Sequence, residues 1–562
     1  MITFSLRSAE PLYGHVYRTS TFLNHCPESA DKRATMGFFK GSDRNPVSRR
    51  RRAPKLIVFL SLMILSALFI EHWRGERALQ KWKKEMTREI LDPKKLWPEA
   101  VPSDRAFSIQ LAAAVERLPK SLNRFAGRLT GLSRDEFGRP IRGSQQSHTL
   151  LSDDQDNVRS WQELEPAIKV AEPALEAIRK LMKNPPRAME VEITKRLDFD
   201  VFPNLSGVRR SAQALHAAAI TSLHRGELEA ALENLEALQG CVRLYADDPS
   251  LITYMLRVAI LGLGNDACWD ALQEDRWTEP QLARLQKACA SNRLFPQMPS
   301  VLAGERSARV RAMDWFGSNS YQAWINRYRD LHKSFGSKSP ELDTANWNGM
   351  FRKYLFHPTW SYAWRAQDEL DYLHYSQQEL VIVREAIARE SWSYLKERET
   401  ALRLNYRRPS ADWRFYRSLP LHDIMGEIAG ARRIDRPQCP YPDFSRAWFV
   451  TVKNLMQHEL VNTVIALKRY RLREGKMPKD LDSLVPAYLE RPPRDLVDGR
   501  PLRYRLNADG SFVLYSIGED AQDNGGDSRP SDSSSTRQQF DSWSGRDWVW
   551  PQVMPASARQ GI

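Results

Sequence analysis

The sequence predicts a mainly α-helical chain with one N-terminal transmembrane helix, a helical body and a small C-terminal α+β module with a short antiparallel sheet. Residues 56–70 are an uncharged apolar run. The long region 97–443 repeatedly places apolar residues at helical spacing, whereas residues 502–517 read as two short strands around a turn. A chain of 562 residues is long enough for two to four folding units.

The N-terminal residues 1–53 are predicted to be a basic cytoplasmic tail. Residues 1–55 contain eleven Lys or Arg and four Asp or Glu, whereas the remaining 507 residues contain 72 basic and 65 acidic side chains. Half of the net charge of +14 therefore lies beside the apolar run, as in a basic membrane flank. No basic stripe is visible elsewhere, which argues against a nucleic-acid partner. Because Met36 opens a compact basic stretch, it is also a candidate translation start.

Residues 54–73 are predicted to be a transmembrane helix with the lipid bilayer as its partner. The fifteen residues of the apolar run span about 22 Å as a helix, less than the roughly 30 Å of a hydrocarbon core. Lys55 and Trp73 flank the run and reach toward the two interfaces. A cleaved signal peptide is the alternative, but no good small-x-small cleavage site follows the run. We therefore expect an uncleaved anchor.

The charges on either side of the anchor bear on its orientation. The Arg49–Arg52 cluster abuts the membrane and favours a cytoplasmic N-terminus. Six Lys or Arg residues between 74 and 88 oppose this bias, but they are mixed with glutamates. The sequence thus predicts a single-pass protein of the inner (cytoplasmic) membrane with most of its chain extracytoplasmic, and the inverted topology stays open.

Residues 74–96 are predicted to be a helical stalk, and residues 97–443 an α-helical body. The clearest helices are Ser211–His224 and Glu227–Leu244, joined at Arg225-Gly226. The stretch GELEAALENLEAL resembles the second helix of a tetratricopeptide hairpin, but no repeat of 34 residues follows it. The body is therefore expected to have helical-hairpin or solenoid-like character without being a repeat array.

Aromatic residues are concentrated in residues 315–364, which hold thirteen of them in fifty positions. One interpretation is a stacking platform for sugars such as cell-wall glycan. The other is an aromatic core or a surface that leans on the membrane, which we favour because most of these residues lie at helical spacing beside Leu and Met.

No catalytic motif is present. The stretch His458-Glu459-Leu460-Val461-Asn462 begins like a zinc-protease helix, but asparagine occupies the position of the second histidine ligand. The five cysteines show neither a CxxC motif nor a zinc spacing, and buried free thiols are favoured over disulfides. The sequence therefore leans against an enzyme without excluding a carboxylate-based hydrolase.

The C-terminal module, residues 444–527, has a different pattern. It is predicted to contain a long helix, a short helix, two strands and a closing loop that is acidic and rich in glycine: Ala447–Arg473, Asp480–Tyr488, Leu502–Leu506, Ser511–Ile517 and 518–527. The tail that follows, residues 528–562, is rich in serine and ends in a tryptophan cluster expected to dock back onto the body.

The combination of ALKRYRLREGKMP, DLDSLVP, PPRDLVDGRPLRY and VLYSIGEDAQDNGGD resembles the C-terminal domain of the major pseudopilins of type II secretion. The resemblance covers about residues 447–527, and the prepilin leader and long assembly helix of that family are absent. It implies calcium in the closing loop, held by Ser516, Asp520, Asp523 and Asp527, with Asp532 as a further ligand. An ordinary solvated acidic loop is the alternative. The whole chain also resembles uncharacterised bacterial membrane-anchored proteins.

These observations predict an anchored envelope protein whose helical body is an interaction scaffold for another envelope protein, with a possible link to secretion-type machinery. The alternative is a membrane-tethered hydrolase acting on cell-wall glycan or peptide, with residues 315–364 as its substrate platform. A cleft with two facing carboxylates near the tryptophans would favour the hydrolase, whereas a dry aromatic core would favour the scaffold.

Overall fold

The computed structural model describes most of the anchor, body and C-terminal module. The described residues are 46–86, 96, 101–119, 122, 133–134, 140–141, 161–187, 205–290, 292, 294–334, 347–407, 444–529 and 545–551. The predictions for Met36, Cys439, Asp532 and the last part of the stalk fall outside them.

The first helix, α1 (Pro46–Glu85), joins the predicted anchor and the predicted stalk without interruption. Its stretch Pro54–Glu85 is long and apolar enough to cross a membrane, and almost none of its most apolar part is buried. A second described helix, Leu251–Ala271, meets the same criterion of length and composition, but more than half of it is buried in the core. The first of the two is therefore the candidate anchor.

The body is built from a series of α-helices. In chain order they are α2 (Pro102–Glu116), α3 (Trp161–Met182), α4 (Leu205–Arg225), α5 (Leu228–Arg243), α6 (Leu251–Ala271), α7 (Glu279–Ala290), α8 (Met298–Ser318) and α9 (Tyr321–Ser334). A 3₁₀ turn, Phe295–Gln297, precedes α8. The prediction of a mainly α-helical chain is confirmed among the described residues.

A long helix with two π segments follows, and we call residues 347–389 the bulged helix. It consists of α10 (Trp347–Phe351), π1 (Arg352–Phe356), α11 (His357–Thr359), π2 (Trp360–Trp364) and α12 (Arg365–Arg389). Single π turns inside α-helices are rare and often lie at functional sites. Beyond this helix come α13 (Trp392–Arg407) and α14 (Ser445–Glu474).

Helix α14 belongs to the main hydrophobic core, although the sequence predicts a domain boundary near residue 444. It packs against α6 and α7, and one continuous cluster of buried apolar side chains extends from Phe107 in α2 to Trp550 near the C-terminus. The C-terminal module is therefore not packed as a separate unit, because its main helix lies among those of the body.

The pair α4 and α5 shows why the hairpin forms where the sequence predicts it. Gly226 takes a positive φ of 77° between the two helices, a conformation that costs glycine little. At Gly240 in α5, a Cβ atom would lie 2.4 Å from the carbonyl oxygen of Met182 at the end of α3. Small residues thus allow three helices to approach closely.

The C-terminal sheet has three antiparallel strands in the order β3 (Arg503–Leu506), β4 (Phe512–Ser516) and β5 (Trp548–Val549). The first two strands are those predicted, but the third comes from the tail, where the sequence shows no strand pattern. The predicted helix Asp480–Tyr488 is reduced to a 3₁₀ turn at Asp482–Leu484. A separate two-stranded pair, β1 (Ser133–Arg134) with β2 (Pro140–Ile141), lies in the body.

His216 in α4 provides a test of the core. Burial lowers the pKa of His216 to about 4, well below its ordinary value of 6.5. The unfolded chain therefore binds more protons than the folded chain between these values, and stability is lost as the pH falls. Between pH 7 and pH 5 we expect this histidine to contribute a loss of about 2 kcal/mol, because one pKa unit corresponds to about 1.4 kcal/mol.

Urea unfolding at the two pH values measures this effect. His216→Leu should reduce the pH-dependent loss, whereas His224→Leu, at an exposed position of the same helix, should leave it unchanged. Equal pH dependence in both variants would contradict the assignment.

Candidate functional site

The candidate site is the junction where α1 leaves its apolar segment and meets the bulged helix. Glu71, the first residue after the apolar run, is only 3% exposed. The side-chain amide of Gln367 donates to its carboxylate at 2.7 Å and to its backbone carbonyl at 3.1 Å. Arg74 adds an ion pair to the same carboxylate at 2.9 Å. A buried carboxylate is tolerated only when it has such partners.

Charged groups continue this junction along the two helices. Arg365 forms ion pairs with Glu76 in α1, at 3.2 Å, and with Asp314 in α8. Further along, the ammonium of Lys83 lies 2.6 Å from the carboxylate of Glu369, whose side chain is fully buried. Burial raises the pKa of Glu369, and Lys83 opposes that shift. The polar contacts thus fix α1 at several successive turns.

Apolar contacts fill the space between these polar groups. Leu79 and Trp82 of α1 are buried against Ala366, Leu370 and Leu373. Close approach is possible because Gly75 in α1 has no side chain, since a Cβ there would lie 2.9 Å from Cγ of Gln367. We call residues 71–83 of α1 and 365–373 of the bulged helix the clasp. The described part of the predicted stalk, up to residue 86, is therefore packed against the body.

Just beside the clasp lies the aromatic cluster, defined by Phe316, Phe356, Trp360 and Trp364. All four side chains are buried, and Leu68 near the end of the apolar run packs against them. The rings meet mainly edge to face, as for Phe316 and Trp360 with centroids 5.4 Å apart. The indole N–H of Trp360 donates to Asp368 at 2.6 Å. These rings form a core rather than an open stacking platform.

The closing loop of the C-terminal module places the four predicted calcium ligands in separate contacts. The Ser516 hydroxyl is buried and donates to Asp495 at 2.8 Å. Asp520 accepts from the backbone of Gln522, and Asp523 accepts from the Tyr515 hydroxyl at 2.9 Å. Asp527 instead accepts from the neighbouring arginine, residue 529. Each predicted ligand is thus engaged with a different protein group.

Asp547 organises this loop, although no sequence pattern points to it. Its buried carboxylate accepts backbone N–H groups from Asn524, Gly526 and Asp527, at 3.3, 2.7 and 2.9 Å. Burial raises the pKa of Asp547, and these hydrogen bonds oppose the shift. Backbone amides that converge on a carboxylate stabilise its charged form.

Among the residues that the structure describes, no group of three or more His, Cys, Asp or Glu side chains is placed to hold a metal. Calcium binding stays a prediction that rests on the pseudopilin resemblance alone.

A second missed residue, Asp495, holds the module together from inside. It is fully buried and accepts from the backbone of Val497 and Ile517 and from the Arg503 guanidinium, the last at 2.6 Å. Ser516 completes this set. Neither aspartate has a local sequence pattern that would have identified it, because its partners come from distant segments or from backbone groups.

His458, which opens the zinc-protease-like stretch, lies in the core of α14. Its ring nitrogens contact Asn265 Oδ1 at 2.9 Å and the carbonyl oxygen of Cys289 at 3.0 Å. Burial lowers the pKa of His458 to about 4. The described cysteines Cys241, Cys268 and Cys289 are free and buried.

Comparison of the chain with models of protein families, with curated proteins and with solved structures found no match. The resemblance to major pseudopilins therefore stays a prediction. The function has to be argued from the geometry of the chain itself.

The Lys83–Glu369 pair gives a test of the clasp. Lys83→Met leaves the buried carboxylate of Glu369 with only the more distant Arg365, and removing one partner of a buried pair typically costs about 3 kcal/mol. We expect an equivalent loss in thermal or denaturant unfolding of the detergent-solubilised protein. Lys81→Met, at an exposed ion pair with Glu85 on the same helix, should cost less than about 1 kcal/mol.

The double variant Lys83→Met/Glu369→Met should recover most of the loss, because it removes the unpaired charge as well as the pair. If Lys83→Met and Lys81→Met were equally stable, α1 would not be fixed by this contact.

The closing loop gives a further test. Asp547→Ala removes the acceptor of three backbone N–H groups, and each hydrogen bond to a charged group contributes about 1.5 kcal/mol or more, so a loss of about 3 kcal/mol is expected. Asp520→Ala, at an exposed position of the same loop, should cost less than about 1 kcal/mol. Urea unfolding and amide exchange at residues 524–527 measure the difference, and equal losses would contradict the role given to Asp547.

Proposed function

We propose that this protein is a single-pass, membrane-anchored envelope protein whose helical body is an interaction scaffold for another envelope protein. We place it in the inner membrane with a cytoplasmic N-terminus, on the basis of the Arg49–Arg52 cluster. The link to secretion-type machinery is part of the proposal and rests on the pseudopilin resemblance alone.

One observation supports the proposal best: α1 leaves its apolar segment and enters the body as a single helix held by the clasp. The residues from Leu56 to Ile70 are largely exposed, whereas Glu71 is buried at once after them. Leu68, which lies within the apolar run, packs against the buried aromatic cluster, so the run itself makes contacts with the body. A cleavable signal peptide has no need of such contacts. A permanent anchor that sets the orientation of the body does need them.

The aromatic cluster supports a scaffold over the alternative of a hydrolase. A sugar platform requires exposed ring faces, but the large rings of the cluster are buried against one another and against Leu68. Asp368, four residues after Trp364, accepts from Trp360 and has a structural role. The burial of this cluster therefore supports the scaffold over hydrolysis of cell-wall glycan or peptide.

Membrane anchoring is tested by charging the lipid-facing side of α1. Leu60 and Ile64 are about half exposed and belong to no described core cluster, so Leu60→Arg/Ile64→Arg should leave the fold of the body intact. Each arginine opposes insertion by about 3 kcal/mol on the translocon scale. We expect the wild-type chain to stay in the membrane after carbonate extraction and the variant to be mostly released.

A matched control is Leu472→Arg/Val381→Arg, which charges exposed apolar positions in the body and should not release the chain. Retention of the first variant in the membrane would contradict anchoring by α1. Fusion of alkaline phosphatase to the C-terminus tests orientation, since the reporter is active only outside the cytoplasm and an inactive fusion would invert the topology.

The scaffold role is tested separately in intact cells. Photo-crosslinkers at the exposed positions Ile109 and Val170 should yield discrete adducts with an envelope protein that mass spectrometry identifies. Release of fragments from purified cell wall by the detergent-solubilised chain, without such adducts, would favour the hydrolase instead.

A further inference from the structure

An apolar stripe on the bulged helix is exposed beside the anchor. Met350, Tyr354 and Tyr362 recur at intervals of four or eight residues, and Leu355 lies next to Tyr354. The exposed fraction is 43% for Met350, 68% for Tyr354 and 49% for both Leu355 and Tyr362. We call these four residues the exposed stripe. The opposite face of the same turns is buried in the aromatic cluster.

Contacts between the two helices give the direction of the stripe. The His72 ring stacks on Tyr362 with centroids 4.5 Å apart, and further along both helices Gly75 lies against Gln367. Still further along both helices, the Trp82 ring contacts the His374 ring, with centroids 5.9 Å apart. Residue numbers increase together, so the helices run parallel. The turns that precede Tyr362 therefore extend toward the membrane end of α1.

The length of the stripe is sufficient to reach the bilayer. Trp360 already packs at the level of Leu68, which is the third residue from the end of the apolar run. Met350 and Tyr354 lie ten and six residues before Trp360, about 15 Å and 9 Å along a helix. Any bilayer that surrounds the apolar run thus lies within reach of the stripe.

The contacts of α1 also indicate how the stripe lies. Helix α1 packs mainly against π2 and α12. The preceding turns of the bulged helix, α10 to α11, therefore diverge from α1. They carry Arg352 and Lys353, and the Lys353 ammonium lies 4.9 Å from the Tyr354 ring centre. Tyrosines, aliphatic residues and basic groups on one helical segment are typical of a helix that lies in the headgroup region.

We propose that the exposed stripe is a second membrane contact, in which Met350, Tyr354, Leu355 and Tyr362 dip into the headgroup–hydrocarbon boundary of the bilayer that holds α1. The inference rests on the proposed membrane anchoring. It adds that the body lies with this side on the membrane surface, so that the chain is held by two contacts and its orientation is fixed.

Fluorescence quenching by lipids tests this contact in the full-length chain. Single cysteines are placed at Leu355, Leu472 and Leu60 in a Cys26→Ser/Cys439→Ser background, in which the three described native thiols are buried. Leu355 and Leu472 are matched, because both are leucines exposed to 49%. Each variant is labelled with a bimane fluorophore and reconstituted in vesicles of phosphatidylcholine and phosphatidylglycerol, with or without lipid bearing a doxyl quencher near its headgroup.

We expect the label at Leu60→Cys to be quenched, and the label at Leu355→Cys to be quenched at least about twofold more than that at Leu472→Cys. If Leu60→Cys is quenched but Leu355→Cys behaves like Leu472→Cys, the second membrane contact is overturned and anchoring stands. If Leu60→Cys is not quenched either, anchoring itself fails and the inference fails with it. Thermal unfolding of each labelled variant verifies that the body is folded.

Discussion

The rest of the structure depends on one constraint, which the buried contact between Glu71 and Gln367 marks. The single helix α1 has to suit two environments, an apolar one before this contact and the packed body after it. From Leu56 to Ile70 its side chains are uncharged and mostly apolar on all sides, as a lipid environment requires. From Glu71 onward one side faces the body and the other faces water. A carboxylate buried at this change is costly, and the amide of Gln367 and the guanidinium of Arg74 offset the cost. The transition is therefore fixed to within one turn.

The bulged helix provides the surface against which this part of α1 packs. Two π segments interrupt it between residues 352 and 364, where it turns its large rings inward against Leu68. After π2 the helix is regular, and its small residue Ala366 faces Gly75 at a close crossing. A π turn shifts the face of a helix, so the same helix can bury aromatic rings before the crossing and charged partners of α1 after it.

The sequence predicted the parts of the structure that depend on local pattern. The hairpin at Gly226, the helix Trp161–Met182 and the strands β3 and β4 follow from periodicity and turn residues. Contacts between distant segments were not predictable: Gln367 is 296 residues from Glu71, and Asp547 reaches the closing loop across the tail. Strand β5 is only two residues long and forms because Ser516 and its neighbour offer an open edge. The sequence thus predicted the helix that carries residues 71–83, but not the clasp, whose partner Gln367 lies 296 residues from Glu71.

A chain of packed helices connects α1 to the far sheet. Helix α12 contacts α1 at the clasp, and its C-terminal end leads into Trp392, whose backbone N–H donates to the carbonyl of Leu496 at 2.7 Å. That bond joins the body to the loop that Asp495 organises. Because α14 lies in the same core, the sheet cannot move independently without opening that core. If α1 anchors the chain as proposed, a body held in this way presents its outer faces at a constant height and angle above the bilayer, which an anchored scaffold requires and a flexible tether would not provide.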